Sequence, residues 1–430
     1  MPLATIPLTL ADRAALHGDR AALRFEGATW TYAALTDDVR AAAGALHAWG
    51  LRRGDRVALY LDNTPSFPIA YLAVLWCGAI VVPVNSRYRE TELRHMLRDA
   101  EPRIVITDAQ GAATTANVRA DAPAVETVVV LGGDRAADPG RWEALARSAP
   151  LPDPLSTSGD DLALIAYTSG TTGRSKGAML SHANLLANAR AVGGAWRWTD
   201  NDHLLLTLPL FHIHGLGVGF HGTLVHGASL TLHRRFDAEE VLRDLASGTP
   251  TLFFGVPTMY ARLLAAAGER PVAPGLRLLV SGSAPLAAAT HEQVERAFGH
   301  RILERYGMTE TIMLAGNPLA GPRRAGSVGV PFDGVELRVA DPSSARLATT
   351  GVAGEVQVRG PGVTRGYWRD PASTLASFTD DGWFKTGDLG VLDADGYLTL
   401  TGRAHELIIS GGFNVYPREV EEVIATLNGV

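Results

Sequence analysis

Helical and strand-like hydrophobic patterns alternate along most of the chain. Between residues 41 and 107, stretches with apolar positions at helical spacing are followed by short aliphatic runs, and the same cadence returns at Leu162. Such alternation is typical of βαβ units around a parallel sheet. The pattern predicts two doubly wound α/β subdomains, residues 1–165 and 166–325, with residues 110–158 as an Ala-, Asp-, Pro- and Gly-rich surface passage.

The pattern changes after about Gly326. Short alternating strands punctuated by Gly and Asp turns predict a small β-barrel or sheet over residues 326–402. An amphipathic helix then begins at Pro417 and the sequence stops soon afterwards. We therefore expect residues 403–430 to form a hinge and the start of a C-terminal domain that is largely absent.

Composition limits the class of protein. The 430 residues are 46% hydrophobic and 20% charged, which is typical of a globular protein with several domains. A net charge of −6 without a block of Lys or Arg argues against nucleic acid as the main partner. The single cysteine, Cys77, fits a reducing compartment. The longest apolar run, Tyr71–Val84, is too short to span a membrane and no signal peptide is recognisable, so we expect a cytoplasmic location.

The most informative stretch is Tyr167–Gly177. It contains three glycines, five Ser or Thr hydroxyls and two cations. Glycine lets backbone N–H groups approach an anion, hydroxyls add donors, and Lys176 supplies a charge for outer phosphates. The composition predicts a loop that binds a polyphosphate.

This loop has other interpretations. A P-loop requires Gly-Lys-Ser/Thr at the start of a helix, but Lys176 is followed by Gly177. The G-x-S-x-G pattern would make Ser175 a hydrolase nucleophile at a strand-to-helix turn. However, residues 178–180 are strand-like and Ser181 is the expected N-cap of the next helix, so we predict a loop between two strands. A flexible linker is a further alternative.

Two patterns after the loop resemble binding motifs. Gly217–Gly222 matches the dinucleotide fingerprint, with Asp237 near the expected distance. The alternative is a tightly packed helix of small residues, because His212–Gly215 separates the glycines from the preceding strand. His212 and His214 have metal-like spacing, but no cluster of Cys, Asp or Glu completes a zinc site.

Together with the loop, four further motifs resemble the acyl-CoA synthetase branch of the adenylate-forming enzymes. They follow that family's order and spacing from about residue 20 to the end of the chain. The motifs are Ser281–Pro285, Glu304–Glu310, Lys385–Asp388, and Gly402–Arg403 continuing to Gly411–Pro417. The resemblance implies an enzyme that joins a carboxylic acid to ATP, releases pyrophosphate and then transfers the acyl group to CoA.

The resemblance also implies roles for individual residues. Attack of a carboxylate on the α-phosphate of ATP requires positioning and neutralisation of negative charge. Thr309 would bond the α-phosphate, while Glu310 and Thr172 would bind Mg²⁺. Asp388 would accept both ribose hydroxyls and Arg403 would bond the ribose or phosphate edge. The outer phosphates would be held by Lys176 and by Thr168, Ser169, Gly170, Thr171, Thr172 and Gly173. Adenine would lie against Tyr306, near Glu304, Gly307 and Met308, with an opposite wall formed by Gly282, Ser283, Ala284 and Pro285.

Residues for the acid are implied by a closer resemblance to malonyl-CoA synthetases. In those enzymes an arginine binds the second carboxylate, as a guanidinium fork does well. Arg305 and Arg235 are the candidates, with His226 and Ser281 as further pocket residues and His212 along the acyl and pantetheine route. A bulkier acid is the alternative.

Departures from the family pattern keep three functions open. His405-Glu406 stands where the family usually has Lys-Asp at its hinge, and we expect the catalytic lysine of the C-terminal domain to be missing together with most of that domain. The leading hypothesis is a two-step acyl-CoA synthetase. The others are an adenylation module that loads an acyl carrier protein and a nucleotide-binding protein with no turnover. A chain competent for only one half-reaction is a further alternative.

Overall fold

The computed structural model of the chain describes residues 4–131, 148–168, 175–268, 273–284, 286–342, 346–404, 408–410, 413–415 and 424. Within these residues no helix combines the length and the apolar character that crossing a membrane requires.

Strands occur throughout the described chain. In chain order they are β1 (Ala21–Phe25), β2 (Ala28–Thr31), β3 (Arg56–Tyr60), β4 (Ile80–Pro83), β5 (Ile104–Thr107), β6 (Thr127–Val130), β7 (Leu162–Tyr167), β8 (Gly177–Ser181), β9 (His203–Leu206), β10 (Ser229–Leu232), β11 (Leu252–Gly255), β12 (Leu278–Ser281), β13 (Ile302–Tyr306), β14 (Ala315–Gly316), β15 (Val330–Pro331), β16 (Glu336–Ala340), β17 (Gly354–Arg359), β18 (Phe384–Leu392), β19 (Leu398–Arg403), β20 (Ile408–Ser410) and β21 (Phe413–Val415).

Helices connect most of these strands. They are α1 (Ile6–His17), α2 (Tyr32–Ala48), α3 (Ser66–Trp76), α4 (Glu90–Ala100), α5 (Ala109–Val118), α6 (His182–Ala195), α7 (His221–His226), α8 (Ala238–Ala246), α9 (Pro257–Ala267), α10 (Ala288–Phe298) and α11 (Pro371–Ala376), with a 3₁₀ turn at Arg119–Asp121 and a π-helix at His214–Phe220.

Two largely parallel sheets form the main body. One has the order β6-β5-β3-β4-β7-β8, and the other has the order β15-β14-β13-β12-β11-β9-β10-β1-β2. Their central strands are continuous apolar runs such as Leu204–Leu206, as expected for strands covered on both faces. A large cluster of buried side chains includes Val57 of β3 and Leu204 of β9, so it contains residues of both sheets. The predicted α/β fold is confirmed.

The chain begins in the nine-stranded sheet, continues through the six-stranded sheet and then returns to the nine-stranded one. β1 and β2 lie at the edge of the nine-stranded sheet, whereas β7 and β8 complete the six-stranded one. Strand order therefore does not follow the simplest arrangement of two consecutive halves. The boundary expected at residue 165 falls within β7, and the four predicted domain limits stay predictions.

A separate antiparallel sheet follows, with the order β16-β17-β18-β19. Its buried face carries Val356, Val358, Phe384 and Leu398, which pack together with Tyr306. The predicted small β-rich unit is thus an antiparallel sheet, and its core includes a residue from the nine-stranded sheet.

Helix α5 lies where the sequence predicted only a surface passage. Asp108 caps it by accepting a hydrogen bond from the backbone N–H of Gly111 (2.8 Å), and Thr115 and Val118 are buried. This helix is rich in Ala and Thr, so its apolar and polar positions differ little in hydrophobicity. The sequence therefore shows no clear helical periodicity there.

Candidate active site

The glycine-rich loop joins two antiparallel strands, as predicted. Tyr167 of β7 pairs with Gly177 of β8, and the N–H of Thr168 donates to the carbonyl of Lys176 (2.9 Å). Ser175 is followed by a strand, which rules out the strand-to-helix turn of a nucleophile elbow. Ser181 caps α6 as expected, accepting from the N–H of Asn184 (3.2 Å).

Some predicted residues lie outside the described part of the chain. Their assigned contacts stay predictions, and they are Ser169, Gly170, Thr171, Thr172, Gly173, Pro285, His405 and Glu406.

Tyr367 links the base of the loop to Glu310. The Nζ of Lys176 lies 5.3 Å from the centroid of the Tyr367 ring, and the Tyr367 hydroxyl donates to Glu310 Oε1 (2.8 Å). The backbone around Tyr367 runs along β8, with Trp368 N–H donating to the Gly177 carbonyl (2.7 Å). Tyr367 was not predicted from the sequence because it lies outside the five motifs and its position depends on a long-range backbone contact.

Glu310 is a buried carboxylate, with 6% of its surface exposed. Burial raises its pKa, and the hydrogen bond from Tyr367 opposes that shift. Its backbone carbonyl accepts from Thr364 N–H (2.7 Å), which fixes the turn that also carries the half-buried Thr309. A carboxylate held in this environment favours a nearby cation.

Gly307 allows that turn to fold tightly after β13. A Cβ at this position would lie 1.9 Å from the carbonyl oxygen of Ile312. Met308 contributes to the turn, because its carbonyl accepts from Ile312 N–H (2.8 Å), and its side chain packs on the cluster that contains Tyr306. The motif therefore places Thr309 and Glu310 directly beyond the carboxyl end of the strand.

Asp388, Tyr306 and Arg403 come together although they are far apart in sequence. The register of β18 and β19 sets Asp388 opposite Arg403, whose Nε lies 2.8 Å from Asp388 Oδ1. The Tyr306 hydroxyl donates to Asp388 Oδ2. Each carboxylate oxygen can accept more than one hydrogen bond. The charges of Arg403 and Asp388 also act on the pKa of Glu310, so the two clusters adjoin.

Arg305 is a buried cation with no acidic partner among the described residues. Its exposed fraction is 4%, its Nη2 donates to Ser283 Oγ (3.3 Å), and its Nε has no hydrogen-bond partner there. Burial lowers the pKa of Arg305 to about 9. The site therefore holds a positive charge that an anionic ligand would stabilise.

The segment after β12 packs around this guanidinium. A Cβ on Gly282 would lie 2.4 Å from Arg305 Cζ. Ser281 is fully buried, and its hydroxyl has no partner in the described residues. Ser283 has a left-handed backbone (φ +68°), and both it and Ala284 are exposed.

Glu304 lies on the same strand as Arg305 and is buried. Its Oε1 accepts from the N–H of Gly326 (3.3 Å), which ties β13 to the segment before the antiparallel sheet.

His212 and His214 lie near Arg305, whose charge acts on the pKa of both imidazoles. His214 is buried, its Nδ1 lies 3.4 Å from Ser283 Oγ, and its Nε2 has no partner among the described residues. The His212 side chain keeps solvent contact, yet desolvation by the surrounding protein lowers its pKa to about 4, and the Arg305 charge adds to this shift. Both imidazoles are therefore neutral at pH 7.

The apparent dinucleotide fingerprint is a packed helix. Its glycines lie in the π-helix and α7, and a Cβ on Gly219 would lie 2.9 Å from Leu206 Cδ1. The alternative of a tightly packed small-residue helix is confirmed.

Arg235 does not lie beside Arg305. It is exposed on the bend after β10, close enough to Asp237 to help lower the pKa of that carboxyl. Three strands separate β10 from β13 in the sheet, and at about 4.8 Å per strand they are roughly 19 Å apart. Arg235 and Arg305, the two candidates for binding a second carboxylate, therefore lie in different parts of the sheet, and the assignment of Arg235 stays a prediction.

His226 also lies elsewhere. It stacks on Trp198 (ring centroids 6.0 Å apart, planes at 10°) at the end of α7, before the amino end of β10. Ser281 and Arg305 lie towards the carboxyl ends of their parallel strands, at the opposite edge. His226 is thus a packing residue on α6 and Trp198, not a neighbour of the pocket.

The glycine-rich loop and the buried Glu310 lie within a stretch of the chain that matches a known family. The model of the AMP-binding enzyme family matches residues 10–368. The chain belongs to the AMP-binding enzyme family. The resemblance seen in the five motifs is confirmed.

Characterised relatives of this AMP-binding enzyme are CoA ligases. It is 38% identical to a sulfoacetate–CoA ligase of Cupriavidus necator over 99% of this chain and 83% of the relative. It is 36% identical to an oxalate–CoA ligase of Arabidopsis thaliana over 95% of this chain and 80% of the relative. Among solved structures, ATP-bound MatB from Rhodopseudomonas palustris superimposes with a TM-score of 0.92 at 39% identity, covering 99% of this chain and 84% of that one. The protein is an ATP-dependent, AMP-forming acyl-CoA synthetase.

Proposed function

We propose that this acyl-CoA synthetase activates a small carboxylic acid that carries a second anionic group, such as malonate. The observation that carries the proposal is the buried Arg305 guanidinium without an acidic partner among the described residues. Burying an unpaired charge is costly, and the second anionic group of a bound acid would supply the missing partner through charge-assisted hydrogen bonds.

The neighbours of Arg305 support a small polar pocket. The Ser281 hydroxyl and His214 Nε2 are buried without partners among the described residues, so both are available to a polar ligand. Two relatives act on acids of this kind, since sulfoacetate and oxalate each carry a second acidic group.

In the first half-reaction, a carboxylate oxygen of the acid forms a bond to the α-phosphorus while the bond to the pyrophosphate oxygen breaks. We assign Lys176 and Thr168 to the departing phosphates, and Thr309 to the α-phosphate. Tyr306 lies against adenine and Asp388 accepts from the ribose. These groups act by position and by charge.

In the second half-reaction, the thiol sulfur of CoA bonds to the acyl carbon, its proton leaves and AMP departs. We assign His212 to the wall of this route, since its neutral ring faces solvent beside Arg305. An acyl carrier protein is the other acceptor to be tested. The buried Cys77 is in keeping with a reducing, cytoplasmic setting.

Mg²⁺ is part of the proposal. Mg²⁺ is usually held by one or two carboxylates together with substrate phosphates, and the buried Glu310 carboxylate fits that donor set. The described residues contain no group of three or more His, Cys, Asp or Glu that would hold a metal ion independently of ATP. Glu310, and Thr172 by the family resemblance, would hold an ion that neutralises phosphate charge.

The test is CoA-dependent AMP release with a panel of acids. Malonate, methylmalonate, sulfoacetate and oxalate are compared with acetate, propionate and the bulkier ferulate. We expect at least one acid with two anionic groups to exceed acetate and propionate in kcat/KM by about 100-fold, the worth of a charge-assisted pair. Equal or better use of a monoanionic acid would contradict the proposed substrate class, and acid-dependent turnover only with a carrier protein would contradict CoA as acceptor.

A further inference from the structure

Helix α4 contacts both ends of the glycine-rich loop. His95 Nε2 lies 2.7 Å from the carbonyl oxygen of Ser175, the residue before Lys176. At the other end, the Tyr167 hydroxyl donates to Asp99 Oδ2, and the Tyr167 ring stands edge-on to His95 at 6.1 Å. Because a carbonyl oxygen can only accept, His95 Nε2 must carry a proton and donate it.

The sequence of α4 separates this contact surface from its packing surface. Leu93, Met96 and Leu97 are buried against the six-stranded sheet, whereas His95 and Asp99 are four residues apart on a neighbouring face. A negative charge in the last turn opposes the helix dipole, so Asp99 does not stabilise α4 by itself. The hydrogen bond that Asp99 accepts from the Tyr167 hydroxyl explains its position.

The end of α4 also holds the segment that carries Tyr367. Trp368 Nε1 donates to the Asp99 carbonyl (3.2 Å), and Arg369 Nη2 donates to Glu101 Oε2 (2.6 Å). Tyr367 in turn lies beneath Lys176. The residues on both sides of Lys176 are therefore braced by one helix.

We propose that His95 is a positioning residue for the β- and γ-phosphates of ATP. Its hydrogen bond fixes the Ser175 carbonyl and thereby the direction in which Lys176 leaves the backbone. Asp99 fixes Tyr167 at the start of the loop by accepting a hydrogen bond from its hydroxyl. The inference rests on the part of the proposed function that assigns the loop to ATP, and it does not depend on which acid is activated.

The test compares the affinities of the full chain for ATP and AMP by titration calorimetry. His95→Leu fills similar space without a donor, and His95→Gln keeps an N–H donor. Arg94→Ala is the matched control, since Arg94 lies on α4 but pairs with Asp121 away from the loop. We expect His95→Leu to weaken ATP binding roughly three- to tenfold, the worth of one hydrogen bond, with AMP binding unchanged within about twofold. His95→Gln should restore most of the ATP affinity.

The ratio of the ATP affinity to the AMP affinity distinguishes a positioning role of His95 from a general disruption of the nucleotide site. AMP lacks the β- and γ-phosphates, so an equal loss for both nucleotides in His95→Leu would overturn the positioning role, as would no loss for either. The same loss in Arg94→Ala would also overturn it. If His95→Leu does not fold, His95→Ala repeats the comparison. Failure of the unmodified protein to bind ATP would refute the proposed function itself, and the inference with it.

Discussion

Gly282 shows how a single missing side chain shapes the acid pocket. The sequence motif suggested only an adenine wall, but in the structure a Cβ on Gly282 would lie 2.4 Å from Arg305 Cζ. The guanidinium fills the space that any other residue would occupy at this position. Gly282 is therefore as important for the placement of Arg305 as any direct hydrogen bond.

Gly282→Ala should displace the Arg305 guanidinium. Overpacking of this kind costs on the order of 1–3 kcal/mol, so kcat/KM for an acid with two anionic groups should fall by about tenfold or more. The affinity for ATP should change much less. Gly194→Ala is the control, because a Cβ there has no heavy atom within 4 Å. An unchanged kcat/KM for the dianionic acid would show that the guanidinium has room to move.

At the scale of elements, the hairpin β7–β8 and the segment that pairs with it build the phosphate side of the site. Met179 N–H donates to the Gly366 carbonyl (3.0 Å) and Trp368 N–H donates to the Gly177 carbonyl (2.7 Å). This pairing brings Tyr367 between Lys176 and Glu310. The Tyr367 ring therefore contacts Lys176, and the Tyr367 hydroxyl donates to Glu310.

The two contributions of Tyr367 can be separated by mutation. Tyr367→Phe removes the hydrogen bond to the buried Glu310 carboxylate, and we expect acid-dependent ATP–pyrophosphate exchange to fall by about tenfold. Tyr367→Leu also removes the cation–π contact with Lys176, worth roughly 0.5–1 kcal/mol, so its loss should be larger. Tyr397→Phe serves as control, since its hydroxyl donates to the Pro322 carbonyl (2.9 Å) instead. Equal rates for the Phe and Leu variants would argue against a role for the ring.

Local signals predicted the elements well, whereas strand order was not accessible from them. The loop between two strands and the Ser181 cap follow from residue patterns a few positions long. Arg235 and Arg305 were both candidates through the resemblance to malonyl-CoA synthetases, yet the sheet order places other strands between them. Tyr367 was missed for the same reason, because its neighbours come from β8, far away in sequence.

At the scale of the whole molecule, the candidate site draws on both largely parallel sheets and on the four-stranded antiparallel sheet. The carboxyl end of β13 supplies Arg305 and Tyr306, the β7–β8 hairpin supplies Lys176, and the antiparallel sheet supplies Asp388. The five motifs could be recognised in the sequence because each is local. The way in which the motifs come together could not be predicted from the sequence. It depends on the order of strands in the two largely parallel sheets and on the packing of Tyr306 against the antiparallel sheet.

The measurement that tests the account most directly is the effect of Arg305→Met on two acids of similar size. Replacing a buried charge by an apolar side chain of similar length is often neutral for stability, so the variant should fold. Arg301→Met is the control, since Arg301 pairs with Glu295 at the surface. We predict that kcat/KM for malonate falls by about 100-fold in Arg305→Met while that for butyrate changes little, because only malonate loses a charge-assisted pair. An equal change for both acids, or no change for either, would contradict the account.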